Sequence, residues 1–185
     1  TALDALSHSL ESIWNKNYSS ISDELASIAI KKIFKFLPLT INNQNKIEYR
    51  KEMQLAALLA GISMSQTKTA ICHSISYPLT SIYNIPHGIA CSLTLAEVAN
   101  LNNKKHKKRM KVIGNALCCQ NESIGKILED FLTSVNFKEV FKPYSNIELD
   151  KNINFINPMR AKNNLTKISN KAAFEIVKKS IKKFS

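Results

Sequence analysis

Asp4 and His8 stand four residues apart in a stretch of helical period, which puts both side chains on one helix face about one turn apart, able to share a cation. His73 and His87 lie in AICHSISYPLTSIYNIPHGIACSLTL, a segment so apolar that two uncharged imidazoles within it need buried partners. Those partners are either backbone groups, which makes the two residues ordinary core histidines, or a metal ion. Three imidazoles and one carboxylate form a borderline nitrogen and oxygen set that suits Fe(II), Zn(II), Co(II) or Ni(II). The absence of a thiolate from that set argues against a closed structural zinc site, and an open coordination position means catalysis. His106 lies in Lys104-Lys105-His106-Lys107-Lys108-Arg109 and reads as part of a solvated helix face.

Positioning these groups requires a particular chain path. On an unbroken helix His73 and His87 would be about 21 Å apart, too far to share a coordination sphere. The helix must therefore break between them, and Pro78 and Pro86 are the expected breaks, with Gly88 relaxing the backbone beside His87. Helical period runs through almost every other segment, and alternating strand patterns and hairpin dipeptides are missing, so the fold class is all-α, a bundle of about seven to nine helices. The expected helices cover 3–17, a second one capped by Ser22 and ending before Pro38, 47–66, 88–102, 104–117, 123–135 and 166–184. The third of these is apolar on nearly every face and is expected in the middle of the bundle, with Gly61 permitting close packing. Residues 143–166 read as polar and irregular.

The chain has 185 residues, enough for one globular domain with a real core, so residues 1–185 are read as a single domain. Hydrophobic residues make up 44% and charged residues 22%, which excludes wholesale disorder and fibrous repeats. Four glycines, none close to another, write no phosphate-cradling loop, so no nucleotide-binding Rossmann unit is encoded here. The formal charge of +12 lets the surface attract anions, although the joint excess of lysine and asparagine also fits a genome of skewed composition. No apolar run reaches the ~18 residues of a membrane span and no signal peptide opens the chain, which reads as cytoplasmic. Cys72, Cys91, Cys118 and Cys119 lack C-x-x-C spacing and read as free, mostly buried thiols. Thr1 opens straight into helical pattern, so the chain is expected to be a piece of a longer protein.

The segment Leu3-Asp4-Ala5-Leu6-Ser7-His8-Ser9-Leu10-Glu11, followed by the His73 segment and by Pro86-His87-Gly88, resembles the metal-binding half of the iron-containing (group III) alcohol dehydrogenases. The likeness runs over roughly residues 1 to 100 and continues more faintly to Arg160 and Asn163-Asn164, with Leu165 where that family has proline. The resemblance implies an all-helical C-terminal domain, with an N-terminal NAD(P)-binding domain outside this chain. It also implies Asp4, His8, His73 and His87 as metal ligands, holding Fe(II), with Zn or Ni as substitutes. Tyr77 stands where members often carry a further histidine, a departure that argues against a histidine relay and leaves Tyr77, a bound water or the cofactor ribose to pass the proton. The run Ser74–Thr80 and the opening LDALSHSLESIWN look most like the branch acting on phosphonate aldehydes, such as phosphonoacetaldehyde reductases. Lys68 is then the candidate phosphonate contact, and its other reading is a cation at a helix C-terminus.

The implied reaction is hydride transfer between NAD(P)H and a small aldehyde or alcohol, with no nucleic acid or membrane partner. The isolated chain is expected to be inactive, and a former domain interface could drive formation of a homo-oligomer. Two alternatives remain at this level. One is a zinc enzyme domain of the glycerol dehydrogenase or dehydroquinate synthase type. The other is a non-catalytic basic module using Lys104 to Lys111 with Lys178, Lys179, Lys182 and Lys183.

Overall fold

Leu6, Leu10 and Ile13 recur at helical spacing and are fully buried, so α1 (Ala2–Ile13) is the helix around which the rest is arranged. The computed structural model describes all 185 residues apart from the side chain of Glu122. After α1 the chain turns sharply. Trp14 is buried, and Asn15 forms an isolated antiparallel bridge with Asn164, so the expected helix over 3–17 is shorter than its pattern.

α2 (Ser20–Asn42) begins at Ser19, not Ser22. The two serines form a capping box in which the Ser22 N–H donates to Ser19 Oγ at 3.1 Å and the Ser19 N–H donates to Ser22 Oγ at 2.8 Å. Pro38 does not end this helix. It removes one hydrogen bond near the C-terminal end, while Leu37 and Ile41 on either side pack against the core and carry the helix one more turn.

α3 (Ile47–Thr67) corrects a second expectation. Its buried seam consists of the small residues Ala56, Ala60, Ser63 and Thr67, while Leu55, Leu58 and Ile62 are exposed. The helix therefore flanks the bundle and does not run through its middle. Ser63 Oγ donates to the Ser22 carbonyl at 2.8 Å along this seam. A Cβ at Gly61 would meet nothing within 4 Å, so close packing does not require that glycine.

α4 (Ile71–Tyr83) carries Pro78 inside it, with Ile75 and Leu79 anchored in the core on either side. The break between the two histidine segments comes later, at 84–86. Asn84 takes the left-handed conformation (φ 55°, ψ 25°), its N–H donates to the Thr80 carbonyl and the Ile85 N–H reaches back to Leu79 at 3.2 Å. Pro86 then caps α5 (His87–Leu93). Gly88 has an ordinary negative φ, so the reversal rests on Asn84 and Pro86.

Thr94 splits the expected 88–102 helix into α5 and α6 (Leu95–Lys105). α7 (Lys107–Ala116) and α8 (Ile124–Ser134) follow close to expectation, then α9 (Phe137–Phe141), α10 (Pro158–Ala161) and α11 (Asn170–Phe184). Among the described residues there are eleven α-helical segments, nine of them of seven residues or more, and no strand beyond the isolated bridge. The irregular stretch before α10 is not solvated throughout, since Ile153 and Phe155 are buried in the core. No helix of the described residues is long and apolar enough to cross a membrane.

Candidate metal centre

The reversal at 84–86 lays α5 beside α4, and both meet the first turns of α1. Asp4 stands at the meeting point. Its Oδ1 lies 3.2 Å from His73 Nε2, 3.6 Å from His8 Nε2 and 3.6 Å from His87 Nε2. The rings of His8 and His73 stack at 4.7 Å, and those of His73 and His87 meet edge-on at 5.5 Å. All four residues singled out from the sequence are thus brought together from three helices.

Glu11 supports this cluster from behind. It lies on the same face of α1 as Asp4 and is only 1% exposed. Its carboxylate accepts the backbone N–H groups of Ala70, at 2.8 Å, and of Cys72, which caps the N-terminus of α4, a helix with no side-chain cap of its own. Its Oε2 also lies 2.7 Å from His73 Nδ1, so the other ring nitrogen, Nε2, is turned toward Asp4. Burial works against the charge on His73, yet the Glu11 carboxylate and the hydrogen bond to Asp4 outweigh it and push its pKa up to about 12. Burial likewise opposes the charge on Glu11, but His73 and the two backbone donors hold its carboxyl below the usual range. Burial and the neighbouring positive charge of His73 hold His8 below its ordinary value.

A fifth donor was not foreseen. Cys91 is buried one turn after His87 on α5, with Sγ 3.4 Å from His87 Nε2. The ligand atoms of Asp4, His73, His87 and Cys91 all lie within 4.8 Å of one another. Burial opposes ionisation of this thiol, but hydrogen bonds with His73 and His87 hold it below its ordinary pKa. The donor set fits a divalent metal ion: hard and borderline atoms converge at the separations that ligands around one ion have, and the histidine deepest in the core has its second nitrogen fixed by a carboxylate.

Tyr77 stands beside the cluster, and Lys68 lines a separate cavity. The Tyr77 ring is 6.2 Å from that of His87 and 45% exposed, and its hydroxyl accepts a 2.6 Å hydrogen bond from Arg160, whose guanidinium also lies over the ring. Lys68 is the C-terminal cap of α3, with φ 67°, in the left-handed region where side chains are strained. It lines a cavity of about 490 Å³ with Asn17, Thr69, Arg160, Lys162 and Asn163, a lining that contains no carboxylate. Three asparagine amides fix this turn, Asn17 donating to the Thr67 carbonyl at 3.2 Å, Asn15 to Lys68 at 2.9 Å and Asn163 to Thr69 at 2.9 Å. Arg160 links the cavity to Tyr77, with one arm on Thr69 Oγ1 at 2.7 Å and the other on the Tyr77 hydroxyl.

Part of the basic surface holds the fold together. Arg109 pairs with Asp23 and stacks over Tyr18, and Lys179 and Lys183 pair with Glu97 at 2.7 and 3.0 Å. His106 sits at the junction of α6 and α7, outside the cluster.

The all-helical chain thus gathers, at the junction of three helices, a group of side chains able to hold a metal ion. The chain belongs to the iron-containing alcohol dehydrogenase family, matching the model of that family's C-terminal part over residues 1–181. It is 32% identical over 117 residues to "Probable alcohol dehydrogenase EutG" of Escherichia coli (strain K12), covering 63% of this chain and 30% of that protein. It is 30% identical over 119 residues to the 1-propanol dehydrogenase PduQ of Citrobacter freundii, covering 64% and 32%. In fold it is similar to the sulfoacetaldehyde reductase from Bifidobacterium kashiwanohense solved in complex with NAD+, with a TM-score of 0.81 at 23% identity over 97% of this chain and 49% of that one. The alcohol dehydrogenase from Oenococcus oeni gives a TM-score of 0.83 at 20% identity, over 97% and 50%. The chain thus spans about a third of the length of these curated relatives and about half of the solved ones.

Proposed function

We propose that this chain is the metal-binding half of an NAD(P)-linked enzyme that transfers hydride between the nicotinamide and a small alcohol or aldehyde, with a phosphonate aldehyde as the favoured substrate. The observation that carries the reading is Asp4 Oδ1, set within 3.6 Å of Nε2 of His8, His73 and His87. Those four residues would hold Fe(II), or zinc or nickel in its place. A divalent ion held there supplies Lewis acidity, favouring the negative charge that develops on a carbonyl oxygen as hydride reaches its carbon.

The chain's own residues supply position and proton. Because the Tyr77 hydroxyl oxygen accepts from Arg160, its O–H is free to point at the substrate oxygen and deliver the proton that makes an alcohol. Lys68, held by the asparagine clamp, and Arg160 would bind the anionic end of the substrate, and the Arg160 bridge to Tyr77 joins that end to the reacting end. We assign the nicotinamide site to the part of the enzyme beyond this chain, so the chain alone would transfer no hydride. The reading includes action in the cytoplasm. The exposed Leu55, Leu58 and Ile62 of α3 fit self-association of the chain.

The test is a nuclear magnetic resonance titration of phosphonoacetaldehyde and of propionaldehyde with the cobalt-loaded chain. Selective broadening of the aldehyde hydrogen, stronger for the phosphonate and lost when zinc replaces cobalt, is the expected result. Equal broadening of every hydrogen, or none, would overturn the reading.

A further inference from the structure

Cys72 and Cys91 are equally buried, yet their surroundings differ. Cys72 is packed within the apolar core, while the Sγ of Cys91 faces the imidazoles of His73 and His87. Four donors can therefore be drawn from this cluster in two ways, with Asp4, His73 and His87 completed either by His8 or by Cys91. We propose that Cys91 is a ligand of the metal in this chain, so that the centre is a mixed carboxylate, imidazole and thiolate site. The inference rests on the metal-centre reading above and goes beyond it in the ligand set and in the metal preferred.

The spacings carry the argument. Bonds of about 2.0–2.1 Å to nitrogen or oxygen and about 2.3 Å to sulfur place neighbouring ligand atoms of a tetrahedron about 3.3–3.6 Å apart. Three of the separations here fall close to that range, 3.2 Å for Asp4 to His73, 3.6 Å for Asp4 to His87 and 3.4 Å for His87 to Cys91, and all four donor atoms lie within 4.8 Å of one another. His87 and Cys91 also repeat on α5 the one-turn pairing that Asp4 and His8 make on α1, so two helices each offer a pair of donors and α4 offers His73. As the bond from Sγ to the ion forms, the thiol proton is released to solvent. A thiolate is a soft ligand, and its presence moves the preference of the centre from Fe(II) toward zinc.

The experiment is cobalt(II) loading of the whole chain carrying Cys118→Ser and Cys119→Ser, so that the two more accessible thiols add no signal. Thiolate ligation gives a near-ultraviolet sulfur-to-cobalt charge-transfer band that nitrogen and oxygen ligands do not. The band is expected in this background, is expected to persist at saturating cobalt in His8→Ala, and is expected to vanish in Cys91→Ser while cobalt stays bound. Zinc affinity in Cys91→Ser is expected to fall by roughly 100-fold or more, beyond the ~10–100-fold that loss of an outer partner costs. Bound cobalt without the band, or a band that survives Cys91→Ser, overturns the assignment and leaves the metal centre standing. Failure of the background chain to bind cobalt at all overturns both. X-ray absorption of the zinc-loaded chain, without any change at Cys91, decides the matter independently. A sulfur scatterer at about 2.3 Å supports the inference and a shell of nitrogen and oxygen alone contradicts it.

Discussion

Glu11 Oε2 and His73 Nδ1 lie 2.7 Å apart across the junction of α1 and α4, and the one buried carboxylate both caps α4 through its backbone N–H groups and orients the His73 imidazole. Removing it affects two functions at once. Glu11→Gln keeps the volume but loses the charge and one of the two accepting oxygens, and metal affinity is expected to fall by about 10- to 100-fold in calorimetric titration. Glu11→Ala is expected to cost roughly 3 kcal/mol of stability in denaturant unfolding as well, because the His73 ring and the backbone donors at the start of α4 lose their partner.

Lys68 is expected to act on charge alone. Lys68→Ala should weaken binding of phosphonoacetaldehyde by roughly 10- to 100-fold, the worth of a charge-assisted hydrogen bond, and leave propionaldehyde binding unchanged. Equal loss for both ligands would mean that the residue matters for the shape of the turn and not for the anion.

Asn84 turns the chain that brings His87 back to His73. The left-handed region costs residues other than glycine and asparagine about 1 kcal/mol or more, so Asn84→Ala is expected to destabilise by about 1 kcal/mol and Asn84→Gly to be close to neutral. Thermal unfolding of the two variants checks this.

The docking of α11 is expected to depend on pH. Burial opposes the charge of Glu97, but Lys179 and Lys183 hold its carboxyl below the ordinary 4.5. A depressed folded value means that the stabilisation is complete above the unfolded value and is lost as pH falls through the folded one. From about pH 5 to about pH 3, the melting temperature of the native chain is expected to fall more steeply than that of Glu97→Gln. Parallel curves would contradict the assignment.

Much of this site can be read from the sequence because helix geometry makes i,i+4 pairs visible: Asp4 with His8 needs only the period of α1. The convergence of His73 and His87 follows from the need for a reversal between them. Its position does not, because a proline inside a well-packed helix, as at Pro78, costs one hydrogen bond and is tolerated, whereas Asn84 supplies a conformation that no periodicity reveals. α3 deceives in the opposite sense, its run of apolar residues being split between a buried seam of small side chains and an exposed row of larger ones. Glu11 could have been found as a carboxylate seven residues after Asp4 on the same helix face. Cys91 had the same kind of signal, a donor four residues after His87, but without C-x-x-C spacing it reads as a buried thiol until the chain is folded.

The central claim is that one divalent ion is held by side chains from α1, α4 and α5. It is tested most directly by diffraction from crystals of the metal-loaded chain, recorded on either side of the absorption edge of the metal. One anomalous peak is predicted within about 2.0–2.3 Å of Asp4 Oδ1 and of Nε2 of His73 and His87, and it should disappear in Asp4→Asn. A peak elsewhere on the chain, or one that persists in Asp4→Asn, would contradict the account.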